Sequence, residues 1–121
     1  MRNEEYQIQK NLIKYINLKY PKLLYCASVG GVRTSYKQAI KMKATGYVAG
    51  FPDLFIYEPI GKYHGLALEV KIKKGRPSTS QLKWRHNLNE RGYVAEITYG
   101  FEETIDVLNK YMSGKINDLN K

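Results

Sequence analysis

The spacing of apolar residues predicts two helices in the first half of the chain. The first is predicted over residues 3–20, where apolar residues recur at helical spacing and Pro21 follows the end. The residues that set this spacing are Ile8, Leu12, Tyr15 and Ile16. A second helix begins after Thr34 or Ser35, either of which can cap it, and ends at about Thr45, before a glycine.

Two further helices are predicted in the second half. Ser78 and Gln81 have the spacing of a capping box, so a third helix begins there and ends at Gly92. Its inward face carries Trp84, Arg85 and Leu88, and we assign Trp84 to the core rather than to a surface that stacks nucleic-acid bases. Phe101 opens a fourth helix, for which we predict an inward face made of Ile105, Leu108 and Met112.

Short apolar or alternating runs between these helices predict four strands, at residues 23–28, 53–57, 66–72 and 93–98. The order is then helix, strand, helix, strand, strand, helix, strand, helix. This mixture predicts an α/β fold with one mixed central sheet flanked by helices. The 121 residues suffice for a single domain, in which the polar residues 113–121 are expected to fray.

Composition excludes several classes of protein. One cysteine permits no internal disulfide, and with only two histidines a zinc site is improbable. The chain has no apolar run of about 18 residues and no apolar segment typical of a secretory signal near its N-terminus. We therefore expect an intracellular protein that spans no membrane, and the absence of a glycine-rich phosphate loop argues against a nucleotide cofactor.

The charge of the chain indicates what kind of partner it binds. The net charge is +9, and the stretch from Lys10 to Pro52 holds eight Lys or Arg residues and no acid. Such a balance favours a polyanion such as nucleic acid, although a solvated basic face is the simpler alternative. The candidates for phosphate contacts are Arg33, Lys37, Lys41, Lys73, Lys74 and Arg76.

The candidate chemistry lies on two adjacent predicted strands. Glu69 and Lys71 share one face of their strand because side chains alternate with a period of two. If the two strands form a hairpin, Asp53 converges with Glu69, and two carboxylates make a site for a hard cation such as Mg²⁺ or Mn²⁺. The alternative is that Asp53 caps a turn and that Glu69 and Lys71 form an exposed ion pair on an edge strand.

The order of these motifs resembles a known family. Gly46, GFPDL at 50–54, LEVK at 68–71, Gly75, Ser78-x-x-Gln81 and Gly92 are similar to the pattern of the VRR-NUC family, virus-type replication-repair nucleases of the PD-(D/E)XK superfamily. The resemblance implies a restriction-endonuclease-like α/β core and hydrolysis of DNA phosphodiester bonds with Mg²⁺ or Mn²⁺. It implies that Asp53, Glu69 and the backbone carbonyl of Val70 hold the ion and that Lys71 positions the nucleophile.

The same family carries an acid followed four residues later by Gln in its first helix, and Glu5 and Gln9 fit this pattern. At about 100° per residue, Glu5 falls within the apolar arc of the first helix, whereas Glu4 lies near its edge. Glu5 would then complete the metal site directly or through water, with Gln9 beside it. A solvent-exposed acid in the first turn is the alternative. Gln81 can serve its capping box, line the active site, or do both.

The resemblance also implies branched DNA, such as a Holliday junction, as substrate, a homodimer as the working unit, and the cytoplasm of a bacterial or phage-infected cell. The runner-up function is a basic nucleic-acid-binding module without catalysis. What distinguishes the two is the acid pair, since a pure binder gains nothing by placing Asp53 and Glu69 against phosphate. A binder of anionic membranes would need a basic amphipathic helix with a broad apolar face, which the sequence lacks.

Overall fold

The structure is a computed structural model that describes residues 3–28 and 35–116. Its helices are α1 (Asn3–Lys19), α2 (Tyr36–Ala44), α3 (Thr79–Glu90) and α4 (Gly100–Met112), and its strands are β1 (Tyr25–Ala27), β2 (Leu54–Ile56), β3 (Leu66–Lys71) and β4 (Val94–Tyr99). The predicted order of elements is confirmed. None of the helices in these ranges combines the length and apolar character needed to cross a membrane.

The four strands form one mixed sheet in the order β1-β2-β3-β4. β2 pairs antiparallel with β1 and with β3, so β2 and β3 form the predicted hairpin. β4 runs parallel to β3, which the intervening helix α3 makes possible. The strand that carries Glu69 and Lys71 is therefore a central strand.

Helices cover both faces of this sheet. Leu66 and Leu68 of β3 belong to a buried cluster that includes one side of α1 and one side of α4. The helix residues of this cluster are Leu12, Ile16, Val107, Leu108 and Tyr111. Ala67, which points the opposite way, packs in a second cluster with Phe55 and with Leu88 of α3. The mixed α/β fold with helices on both sides is thus confirmed.

The buried face of α4 differs from the predicted one. Ile105 and Met112 are only half-buried, and the buried residues are Thr104, Val107, Leu108 and Tyr111. The Thr104 hydroxyl lies 2.7 Å from the Thr98 hydroxyl, and this hydrogen bond lets a polar side chain occupy the core. A prediction made from the apolar residues alone therefore places the buried face of α4 at the wrong position around the helix axis.

Two smaller expectations also change. Arg85 does not point into the core, because its side chain is 45% exposed and pairs with Glu96 at 3.8 Å. Ile116 is buried in the main cluster, so the C-terminal segment is anchored up to that residue rather than frayed from 113 onward. Of the two possible caps of α2, Ser35 is the one used, because its Oγ accepts from the Gln38 amide, while Thr34 lies outside the described residues.

Candidate active site

Asp53 is fixed at the start of the β2–β3 hairpin. It directly precedes β2, and its Oδ2 accepts a hydrogen bond of 2.8 Å from the backbone N–H of Val70 on β3. The carboxylate therefore bridges the two strands and does not serve as a local turn cap. This contact holds Asp53 beside the residue that follows Glu69 in the chain.

Glu69 is buried on the central strand. Only 7% of the surface of this residue is exposed to solvent, and its side chain lies on the face of the sheet that α3 covers. Its Oε2 accepts a hydrogen bond of 3.0 Å from Gln81 Nε2 and lies 3.8 Å from Lys71 Nζ. The alternative of an exposed ion pair on an edge strand is thus wrong.

Gln81 performs both of the roles that its position permits. Its Oε1 accepts from the backbone N–H of Ser78 at 2.8 Å, and the Ser78 Oγ accepts from the Gln81 N–H at 3.1 Å, which completes the predicted capping box. Its Nε2 remains free to donate to Glu69. The first turn of α3 is therefore tied directly to the acidic centre.

These side chains surround one cavity of about 270 Å³. The predicted residues that line it are Glu5, Asp53, Glu69, Val70, Lys71, Arg76 and Gln81. A small adjoining cavity of about 30 Å³ is lined by Gln9 together with Glu5, Asp53 and Lys71. Glu5 is half-buried here and Glu4 is exposed, as the helical geometry of the sequence predicts.

The surroundings of Glu69 in this cavity shift the pKa of its carboxyl group. Burial is the largest of the causes that together raise the pKa of Glu69 from 4.5 to about 8, and the neighbouring carboxyl group of Asp53 and the negative charge of Glu5 act in the same direction. The positive charge of Lys71 opposes this shift and only partly offsets it. The protein alone therefore disfavours the charged form of this buried carboxylate.

A divalent cation fits this arrangement. Glu69 Oε1 is buried and has no hydrogen-bond partner among the described residues. The available donors are carboxylate and carbonyl oxygens, which suit a hard cation such as Mg²⁺. No group of three or more His, Cys, Asp or Glu side chains in the described ranges is close enough to hold an ion together. Within these ranges, backbone carbonyls or water would therefore have to supply some of the oxygens around an ion.

The predicted phosphate-binding residues occupy three places. Arg76 lines the cavity, and Lys73 and Lys74 are exposed in the turn directly after β3. Lys37 and Lys41 are exposed on α2, one helical turn apart. Arg33 lies outside the described residues.

The cavity wall includes residues that the sequence did not assign to the site. Tyr47, Gly50, Phe51 and Gly75 line it. Gly50 has φ +88, and a Cβ there would lie 2.6 Å from the backbone carbon of Ser80. The glycine was visible in the GFPDL motif, but its close approach to α3 was not, because no sequence signal indicates such an approach. Tyr47 carries no sequence signal at all.

A mixed sheet with Asp53, Glu69 and Lys71 gathered at a central hairpin defines an acidic centre within a strongly basic α/β domain. The profile of the VRR-NUC domain matches residues 3–102, and the chain therefore belongs to the VRR-NUC family, which is a nuclease-type family.

Two solved structures support this assignment at the level of the fold. One, a "VRR_NUC domain protein", is 25% identical, covers 93% of this chain and 91% of its own, and has a TM-score of 0.78. Another, a "VRR_NUC domain", is 21% identical, covers 91% and 99% of the two chains, and has a TM-score of 0.61. Among proteins with curated functions, none matches this sequence.

Proposed function

We propose that the protein is a DNA endonuclease that requires Mg²⁺ or Mn²⁺. The observation that carries this proposal is the convergence of Asp53, Glu69 and Lys71 in one cavity of a protein with net charge +9. A basic protein attracts a polyanion, and an acid pair turned toward that polyanion repels it unless a cation lies between them. Family membership supports nucleic acid as the substrate class.

The cation would be held by Asp53, Glu69 and the Val70 carbonyl, and when bound it would polarise the phosphate and activate the attacking water. Glu69 Oε1 supports this placement, because it is buried and has no partner in the part of the chain that the structure describes, and ion binding would satisfy it. Glu5 would complete the site through water from the adjoining cavity, with Gln9 beside it.

Lys71 and Gln81 act on the other components of the reaction. Lys71 Nζ donates a hydrogen bond that orients the attacking water and offsets negative charge on the phosphate. Gln81 holds the Glu69 carboxylate in place through its Nε2 and is itself held by the capping box. The water oxygen bonds to phosphorus while one P–O bond to a sugar breaks, which leaves a phosphate monoester on one strand end and a hydroxyl on the other.

Phosphate contacts outside the cavity would position the DNA. Arg76 at the cavity wall and the exposed Lys73 and Lys74 beside it can reach the phosphates that flank the cleaved bond. Lys37 and Lys41 offer a second pair of charges on one side of α2. Such contacts fix the register of the DNA without reading its sequence.

We further propose that two copies act together on branched DNA such as a four-way junction. Each chain offers one site of this kind, and two symmetric cuts need two sites related by a two-fold axis. Helix α2 supports a surface for a partner, because it has no buried residue and exposes Tyr36 and Ile40 at 83% and 51%. Light scattering gives the mass, and cuts mapped on a junction with a mobile core give the geometry. A monomer that cuts linear duplex equally well contradicts this refinement alone.

The main proposal is tested by incubating the purified protein with labelled branched and linear DNAs in Mg²⁺, in Mn²⁺ and in EDTA. Cleavage that requires either cation supports the nuclease. Tight DNA binding without cleavage in any cation would instead favour a binding module that has no catalytic activity.

A further inference from the structure

A second cavity lies next to the active site and differs from it in character. It measures about 530 Å³, within the range of about 300–1,000 Å³ that is typical of small-ligand sites. Its wall contains the apolar side chains of Val48, Trp84 and Leu88, together with the polar or charged side chains of Lys83, Asn87 and Arg91. We call it the Trp84 pocket.

The Trp84 pocket and the active-site cavity share a wall. In the segment that precedes β2, Val48 and Ala49 line the Trp84 pocket, whereas Gly50 and Phe51 line the active-site cavity. At the start of α3, Ser80 lines the first and Gln81 the second. Along both elements, residues that line the two cavities are therefore consecutive in the chain.

The indole of Trp84 is held rigidly in this wall. Its Nε1 donates a hydrogen bond of 3.1 Å to the Ala49 carbonyl, and the Phe51 ring meets it edge-on at 5.1 Å between centroids. Trp84 is half-buried and packs at the edge of the core, but it also lines the pocket, so its assignment to the core alone is incomplete. A fixed aromatic ring beside a cavity is a surface on which a flat ring can stack.

The remaining wall matches the other parts of a nucleotide. Lys83 and Arg91 are exposed and make no ion pair within the described residues, so their charges are available to phosphates. The Asn87 side chain, also exposed, offers an amide that can pair with a base edge. Val48 is 56% exposed, which leaves apolar surface to be covered.

From this combination we infer that the Trp84 pocket binds an unpaired nucleobase of the DNA, next to the phosphate that the active site attacks. The inference rests on the proposed nuclease function, since it assigns the pocket to the same substrate. Single-stranded tails, flaps and opened base pairs at a branch point supply such bases, while a base in intact duplex must first be unpaired and unstacked, which costs free energy.

The pocket is tested by the fluorescence of Trp84, which is the only tryptophan in the chain. The intact protein in EDTA is titrated with a single-stranded oligonucleotide and with an abasic oligonucleotide of equal length and equal phosphate count. The normal strand should quench Trp84 and bind about 5- to 150-fold more tightly than the abasic strand, which is the range for one stacked base. A fully paired duplex should quench weakly.

Val48→Asp places a negative charge at the mouth of the pocket and should abolish the preference for the normal strand. Leu18→Asp is the matched control, because Leu18 is 85% exposed on α1 and lies outside both cavities, so the same charge change should leave the preference intact. Circular dichroism checks that both variants fold.

Three results would each contradict base binding in the Trp84 pocket. The normal and abasic strands could bind equally, Trp84 quenching could survive Val48→Asp, or duplex could quench Trp84 as strongly as single-stranded DNA does. The cleavage assay separates this failure from that of the wider proposal. If Asp53-dependent cleavage persists, only the pocket is wrong, whereas absence of both DNA binding and cleavage contradicts the nuclease as well.

Discussion

Glu69 combines burial with the charges of two neighbouring carboxylates, and few side chains at protein surfaces experience either. Its raised pKa, about 8, means that the metal-free native protein holds a proton there that the unfolded chain releases at much lower pH. The charged form is stabilised only when a cation is present. Without a cation, the charged Glu69 carboxylate therefore lowers the stability of the folded protein.

This gives a prediction about pH and stability. Between about pH 4.5 and 8 the native state binds one proton more than the unfolded state, so the free energy of unfolding in EDTA should fall as pH rises through this window. Glu69→Gln removes the titrating group and should flatten the fall and raise Tm at pH 8. Saturating Mg²⁺ should restore Tm in the wild type and have little effect in the variant.

Denaturant unfolding at a series of pH values measures this effect. Glu90→Gln is the control, because the Glu90 side chain is 65% exposed at the surface, where it lies 3.7 Å from His86 Nε2. The explanation fails if Glu69→Gln and Glu90→Gln have the same pH dependence as the wild type.

Lys71 gives a second prediction at the same scale. Lys71→Ala should leave cation binding intact, since the lysine is not a ligand, while cleavage should fall by about 10²–10⁴-fold, the usual range for positioned proton-transfer groups. Calorimetry with Mn²⁺ and single-turnover cleavage measure the two quantities. Lys22→Ala is the matched control, because Lys22 is an exposed lysine that lines neither cavity. A near wild-type rate in Lys71→Ala would reduce that lysine to a structural charge.

Individual site residues were predictable where geometry or a motif constrained them. The position of Glu5 on the apolar arc of α1 distinguished it from Glu4. Of these two acids, Glu5 is half-buried and lines the cavity, while Glu4 is exposed. Gln81 could be assigned to its capping box, but its simultaneous bond to Glu69 depends on the distance between α3 and β3. Such distances depend on packing, which no local pattern encodes.

At the scale of elements, the wall between the two cavities depends on the close approach of Gly50 to α3. Gly50→Ala forces a side chain into a left-handed conformation and against the Ser80 backbone, so it should lower Tm and cleavage together. Gly46→Ala is the control, because Gly46 has φ +110 but open space around it. That variant should show only the conformational cost of about 1–2 kcal/mol.

Differential scanning calorimetry and cleavage rates on both variants test this close approach. The predicted result is a larger loss of stability in Gly50→Ala than in Gly46→Ala, with loss of cleavage only in the former. Equal effects in the two variants would show that the packing of Gly50 on Ser80 does not organise the site.

The elements themselves were largely predictable, because helical and alternating periodicities are strong in this chain. The exceptions have physical causes. In α4 a polar residue is buried through a hydroxyl pair, and Tyr111 is buried because its hydroxyl donates to the Glu58 carbonyl at 2.6 Å. Hydropathy counts both side chains as less suited to the core than Ile105 or Met112, so it selects the wrong face.

For the whole molecule, the order of elements predicted an α/β sheet and the hairpin that joins Asp53 to Glu69. The parallel pairing of β4 with β3 and the side of the sheet that each helix covers emerged only from the structure. They depend on packing between residues far apart in the chain. The second cavity belongs to this class, because its walls come from two separate segments.

Net charge gives a prediction for the whole molecule. The logarithm of DNA affinity should fall linearly with the logarithm of salt concentration, with a slope near −0.9 for each neutralised phosphate. Reversing Lys37 and Lys41 together to Glu should weaken binding and flatten the slope by about 0.9 for each phosphate that the variant no longer neutralises. Reversing Lys110 and Lys115 changes net charge equally, at the end of α4, and should leave the slope nearly unchanged. Identical slopes in the two double variants would place the DNA surface away from α2.

The central claim is that the protein cleaves DNA with the help of a cation held by Asp53 and Glu69. The most direct measurement compares wild type, Asp53→Ala and Glu69→Ala for cleavage of a labelled four-way junction over a Mg²⁺ titration, with DNA binding and circular dichroism measured on the same samples. Both variants should fold, bind DNA at least as tightly because negative charge is removed, and show no cleavage at any Mg²⁺ concentration. Undiminished cleavage by either well-folded variant would contradict the claim.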